Sequence, residues 1–320
     1  MRSWISFSPV IWVLASLAAC GGGDPVRETD ASMDAPIATE GGVDANGPSD
    51  AGGDAGCAPA MVLCGLDRTV VNADWMEARL ADPSVQAIDA RGAAAFAAGH
   101  LPDALNVDVN ALRATVDGIS GQVASPATGE SVLGAAGLRR DAIAVVYGDG
   151  VDTTSARLLW TLEYYGHSDV RLLDGGWTTW ANDARPSATG AATPTPTTYT
   201  IDAVIDDVRV DVPFILPLLG DPGMVLVDAR ASSEYAAGHI PGALNVDWML
   251  NVSSGRFKPR ADVAALYATV PTTATVVAYC QTGSRASVAY AALRWLGYPD
   301  VRLYDGSWAE WGGRSDLPRE

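Results

Sequence analysis

The sequence predicts an α/β protein made of two tandem copies of one domain, each a parallel sheet flanked by helices. Three observations lead there. The body of the chain repeats itself, each copy alternates short apolar strands with helical stretches, and the second copy runs a strand into a cysteine that opens onto a helix. Asp89 to Val109 aligns without gaps to Asp228 to Trp248 at a shift of 139, with 13 of 21 positions identical. Further on, Val170 to Trp177 matches Val301 to Trp308 at a shift of 131, and a second tryptophan follows in each copy, Trp180 and Trp311. Two copies of this length are a duplicated domain, not a solenoid array. A chain of 320 residues is long enough for two separate cores.

The chain opens with Arg2 and an apolar run from Ile5 to Ala19. That pattern reads as a secretory signal, and the run is short for a transmembrane helix. Leu17-Ala18-Ala19-Cys20 resembles the bacterial lipobox. The resemblance implies cleavage after a signal peptide of residues 1–19, a lipid on Cys20, and an exported, membrane-anchored lipoprotein facing the periplasm. Residues 20–66 are expected to be a disordered acidic tether, because a Gly-, Ala- and Asp-rich tract buries too little apolar surface to offset its ordering entropy. The net charge of −17 and a pI near 4.4 argue against a nucleic-acid partner. Much of that charge lies in the amino-terminal tract.

The four cysteines are Cys20, Cys57, Cys64 and Cys280. With Cys20 lipidated and Cys280 reactive, Cys57 and Cys64 remain as a local pair. A short disulfide, a metal pair without further ligands nearby, and two free thiols are the alternatives; the exported setting favours the disulfide. No metal site is expected.

Copy one spans residues 67–184. A Thr- and Pro-rich stretch, residues 185–200, reads as a semi-rigid linker, and copy two fills 201–320. In copy two, Met224 to Asp228, Thr275 to Tyr279 and Val301 to Tyr304 read as buried strands. Between the last two, Ser287 to Trp295 sets Val288, Ala291, Ala292 and Trp295 on one helical face. Strand–helix alternation implies a parallel sheet covered by helices, with its site beyond the carboxyl ends of the strands. Cys280 falls at such an end.

The segment Cys280-Gln281-Thr282-Gly283-Ser284-Arg285 carries the chemistry. Unpaired amides and a helix amino terminus favour the thiolate, the nucleophilic form of cysteine. Arg285 adds a fixed positive charge, and Gly283 supplies a backbone angle or a close approach that a side chain would block. In copy one, Val145-Val146-Tyr147 leads instead to Gly148, and Asp149 and Asp152 follow where the active copy has no acid. Copy one is therefore read as structural, covering one wall of the cleft.

Taken together, Asp228-Ala229-Arg230 with Glu234-Tyr235, Gly238-His239-Ile240-Pro241-Gly242-Ala243, the Cys280 loop, and Asp305-Gly306-Ser307-Trp308 followed by Trp311 resemble a tandem rhodanese. The resemblance runs from residue 67 to the carboxyl terminus. It implies two rhodanese-like domains, an inactive amino-terminal one and a catalytic carboxyl-terminal one. It also implies a sulfurtransferase of the thiosulfate or 3-mercaptopyruvate type working through a covalent Cys280 persulfide, without a cofactor. A small-molecule donor and a thiol or cyanide acceptor are the implied partners, and the protein is expected to be a monomer. Arg230 corresponds to the family's substrate-anchoring arginine. Gln281, Thr282, Gly283, Ser284 and Arg285 are expected to cradle the sulfur anion. Two guanidiniums facing one pocket suit a dianion such as thiosulfate.

His239 and His100 stand in matching positions, so both are expected to serve the fold, as are Asp228 and Asp89. Arg91, the counterpart of Arg230, is expected to be solvated. A phosphatase loop is the enzymatic rival, but such loops place five residues between Cys and Arg, and here there are four. 3-Mercaptopyruvate is the rival donor. Loops for it are typically neutral, of the form Cys-Gly-Ser-Gly-Val-Thr, whereas Arg285 charges this one. Gln281 stands where thiosulfate enzymes commonly carry a base. A non-enzymatic sulfur carrier or partner-binding module is the third reading.

Overall fold

A computed structural model describes residues 69–320. The signal peptide, the tether, Cys20, Cys57 and Cys64 lie outside the described residues.

Copy one runs β1 (Val70–Val71), α1 (Ala73–Glu77), β2 (Val85–Asp89), α2 (Ala93–Ala98), β3 (Leu105–Asn106), β4 (Arg113–Val116), β5 (Ile119–Val123), α3 (Pro126–Ala135), β6 (Ile143–Tyr147), α4 (Thr153–Tyr164), β7 (Val170–Leu173) and α5 (Gly176–Asn182). Copy two repeats the plan as β8 (Arg209–Val210), α6 (Val212–Ile215), β9 (Met224–Asp228), α7 (Ser232–Ala236), β10 (Leu244–Asn245), β11 (Val252–Ser253), β12 (Arg256–Phe257), α8 (Arg260–Leu266), β13 (Thr275–Tyr279), α9 (Ser284–Leu296), β14 (Val301–Tyr304) and α10 (Ser307–Trp311). Each copy forms a five-stranded parallel sheet, β1-β7-β6-β2-β3 and β8-β14-β13-β9-β10, so the strand order is the same in both. The expected α/β class and the duplication are both present.

The expected strands of copy two are β9, β13 and β14. All three are mostly apolar, as strands of a parallel sheet covered on both faces are. On one side of each sheet lies a private core. In copy one it holds Val71, Phe96, Leu101, Tyr147 and Trp180; in copy two, Ile215, Ile240, Tyr279, Tyr304 and Trp311. The other sides share one core, in which residues of α4 and α9 meet.

That shared core changes the reading of the helix after Cys280. α9 begins one turn earlier than the apolar periodicity suggested, and every residue from Ala286 to Arg294 is buried. One face packs on the sheet and another on α4, so a single apolar stripe accounts for only part of its burial. Polar groups caught in this layer pair with one another: Tyr290 donates to Glu163 at 2.5 Å, and Arg294 approaches both.

Residues 185–200 run along copy one. Arg185 pairs with Asp74 and Glu77, Ala188 exchanges backbone bonds with His100, and Thr197 bonds to Gly134 and Leu138. Arg91, expected to be solvated, is only 7 % exposed. Its guanidinium is held by Asp89, Asp149 and the Gly99 carbonyl, and those bonds offset the cost of burying the charge.

The two copies also exchange hairpins. The β4–β5 hairpin of copy one reaches the end of copy two's sheet, where Val123 N–H donates to Asp305. Reciprocally, the β11–β12 hairpin of copy two covers copy one's loop, with Phe257 N–H donating to Asp174 and Val151 N–H to the Gly255 carbonyl.

Candidate active site

Cys280 follows β13 directly and is 1 % exposed. Its N–H donates to Ser307 Oγ at 3.2 Å, and its carbonyl accepts from Trp308 N–H at 3.0 Å. Ser307 holds φ at +52°, and its own hydroxyl donates to the Tyr304 carbonyl. A non-glycine residue in left-handed backbone is uncommon and costly. Here it places a hydroxyl that fixes the cysteine's backbone.

From Cys280 the chain passes exposed Gln281 and half-buried Thr282 to Gly283, the N-cap of α9. Gly283 has φ +82°, and a Cβ there would come within 2.5 Å of Arg157 Nη1 and 3.1 Å of Asp305 Oδ1. Both reasons foreseen for a glycine apply. No side chain caps α9, so its first amides are not taken up by a side-chain cap at the end of the loop.

Copy one shows the same loop with its anion positions filled. Gly148 accepts from Trp177 N–H as Cys280 accepts from Trp308, so the two residues are structural equivalents, and Asp149 then matches Gln281. Asp152 caps α4 by accepting from Thr154 and Ser155 N–H, and a Cβ on Gly148 would lie 2.6 Å from its carboxylate. Asp149 takes Nη1 of Arg91 at 3.1 Å. In copy two no acid stands at either place.

Arg230 is 2 % exposed, lies over Trp308, and gives Nε and Nη2 to Asp228 and Nη2 to the Gly238 carbonyl. Its copy-one counterpart spends the remaining nitrogen on Asp149; Arg230 has no second carboxylate partner among the described residues. Asp228 also accepts the backbone N–H of Arg230, so it braces the arginine. Arg285 forms a two-pronged pair with Glu234 at 2.5 and 2.8 Å. Bonding to Glu234 strengthens its hold on the proton, burial opposes this, and the charge of Cys280 adds to it. His239 stacks on Tyr235 at 3.6 Å and bonds its carbonyl, as His100 does on Phe96.

Two arginines of copy one complete the surroundings, and neither was singled out from the sequence. Arg113, at the start of β4, donates to Ser284 Oγ at 2.5 Å. Arg157, wholly buried in α4, pairs with Asp305 at 2.7 Å and lies against Gly283. A signal for both exists in the repeat. At the shift of 139, Arg113 aligns with Val252. Counted from the first residue of α4 and α9, the fifth is Arg157 in one and Val288 in the other. An arginine replacing a valine within a duplicated apolar pattern marks a polar task peculiar to one copy.

The rhodanese-like domain model matches residues 72–183 and 215–314. The chain belongs to the rhodanese family. A thiosulfate sulfurtransferase of Corynebacterium glutamicum is 35 % identical over 288 residues, covering 82 % of this chain and 93 % of the relative. The sulfur carrier protein TtuD of Thermus thermophilus is 32 % identical over 273 residues, covering 78 % and 95 %. Among solved structures, the Escherichia coli 3-mercaptopyruvate sulfotransferase SseA is similar with a TM-score of 0.68 and 29 % identity, covering 75 % of this chain and 98 % of that one. This rhodanese is a sulfurtransferase of tandem-domain build.

Proposed function

We propose that this rhodanese moves sulfane sulfur from thiosulfate to a thiol or cyanide through a persulfide on Cys280. One observation carries the reading: the loop positions that copy one fills with the Asp149 and Asp152 carboxylates hold no acid beside Cys280. Arg285 and Arg113 stand next to them. A loop that keeps its anion-binding elements and lacks the two acids of its copy-one counterpart suits a small anionic donor.

In the first half-reaction the Cys280 thiolate attacks the outer sulfur of thiosulfate. The new S–S bond forms as the old one breaks, and sulfite leaves with the electron pair. The outer sulfur then passes to the acceptor and the thiolate is restored, a two-step covalent cycle with ping-pong kinetics. In this reading the α9 amides and the Ser284 hydroxyl receive the persulfide's charge. The likeness to SseA supports 3-mercaptopyruvate as the second donor to test.

The test exposes the protein to thiosulfate or 3-mercaptopyruvate and reads the intact mass. A gain of about 32 Da, one sulfur atom, is expected with thiosulfate and absent in Cys280→Ser. Sulfur retained by that variant overturns the role of Cys280. A higher kcat/KM for 3-mercaptopyruvate than for thiosulfate overturns the donor.

A further inference from the structure

We propose that Arg113, carried on the β4–β5 hairpin of the copy without a cysteine, is an anion-binding residue of the Cys280 site and holds the sulfonate end of the donor. This rests on the reading of the site as a thiosulfate site and deepens it.

Arg113 differs from the other arginines around the loop in what it is bonded to. Arg230 is tied to Asp228, Arg285 to Glu234, and Arg157 to Asp305. Arg113 has no carboxylate partner among the described residues; one nitrogen reaches the Ser284 hydroxyl, and its Nε is buried without a hydrogen-bond partner. Burial and the neighbouring Arg157 charge both disfavour its charged form, while the charges of Asp305 and Cys280 favour it. A guanidinium without a carboxylate partner keeps its charge available to an incoming anion.

The space beside it fits such an anion. A cleft of about 400 Å³ is lined by Asn110, Arg113, Thr115, Ser120, Gly121 and Thr282, with Ala114 alongside. None of these residues is acidic, and Thr282 belongs to the cysteine loop itself. Gly121 of the hairpin packs directly on the cysteine loop: a Cβ there would lie 3.2 Å from the Thr282 Cβ. A donor in this cleft would present its outer sulfur toward the Cys280 loop and its oxygens toward Arg113. Sulfite, released as the S–S bond breaks, carries the same dianionic charge as thiosulfate and is a probe of the same subsite.

Two measurements test this. In steady-state thiosulfate–cyanide turnover at low salt, Arg113→Gln is expected to raise the thiosulfate KM about ten- to a hundredfold, the loss of one charge-assisted hydrogen bond, with kcat little changed. Arg113→Lys, which keeps the charge and tests the case in which the glutamine variant fails to fold, is expected to fall between. Separately, sulfite is titrated into Cys280→Ser with and without Arg113→Gln, and weaker binding without the arginine is expected. A fall in kcat at unchanged KM makes Arg113 a prop for Ser284 and overturns the proposal. So does an equal sulfite Kd in the two proteins. A wild type that accepts no sulfur from thiosulfate refutes the proposed function instead, and the sulfite titration then decides the role of Arg113 alone.

Discussion

Replacing Asp305 by asparagine is expected to destabilise the protein far more than the same change at Asp174, its equivalent in copy one. Asp305 and Arg157 are both 0 % exposed and 2.7 Å apart. Asparagine preserves the shape and can still accept from Val123 N–H, but it leaves a buried guanidinium without a counter-charge. Arg157 gains no other carboxylate among the described residues: Nε and Nη1 are already buried without hydrogen-bond partners, and the Gly121 carbonyl and the Trp160 ring remain. Breaking such a pair from one side costs about 3–5 kcal/mol. For a protein of this size that lowers Tm by roughly 6–20 °C. Asp174 faces Arg256 at 3.3 Å with the arginine 39 % exposed, so solvent compensates and the loss should stay within about 1 kcal/mol. Urea unfolding followed by tryptophan fluorescence compares the two variants, provided the m-values agree. Adding Arg157→Met to Asp305→Asn should recover part of the loss, because the stranded charge is then gone. Equal losses at Asp305 and Asp174, or a loss below about 1 kcal/mol at Asp305, would refute the claim that burial makes the first pair indispensable.

Gly148→Cys should not create a second persulfide site, since its Cβ meets the Asp152 carboxylate and Asp149 already occupies Arg91. Intact mass after thiosulfate should show one added sulfur per chain, and two would contradict the account of copy one. His167 is buried between Tyr199 and the Ala142 carbonyl, and burial pushes its pKa down from 6.5 to about 4. The unfolded chain therefore binds a proton that the native state refuses. Stability from this group is full above about pH 6.5 and is lost as pH falls toward 4, about 3 kcal/mol in all. Stability measured across that range should slope less in His167→Phe than in the wild type, and parallel curves would contradict this.

The strands and the duplication were legible because they rest on local composition and on the chain's likeness to itself. The Cys280 loop was legible because its residues are consecutive. What escaped was tertiary. α9 carries a second buried face only because α4 lies against it, and no periodicity in one helix announces a partner more than a hundred residues away. Arg91 read as solvated because part of what covers it, Asp149 and the Trp177 ring, is distant in sequence. Arg113 and Arg157 were hidden because the hairpin that carries the first and the helix α4 that carries the second both reach the other copy's loop, which a reading taken copy by copy does not register.

That exchange of hairpins makes the molecule a dimer written on one chain. In a true two-fold dimer, any residue that improves one end of the interface appears at the other as well. Fusion removes that obligation. Arg157 can be an arginine under one loop while Val288 stays a valine at the matching place, and Asp149 can fill one loop while Gln281 leaves the other open. The two copies are nonetheless held to each other, because each hairpin closes on the other's sheet end: Val123 N–H reaches Asp305 and Phe257 N–H reaches Asp174. An engineer who wished to shorten this protein by half would therefore strip the remaining copy of the hairpin that covers it.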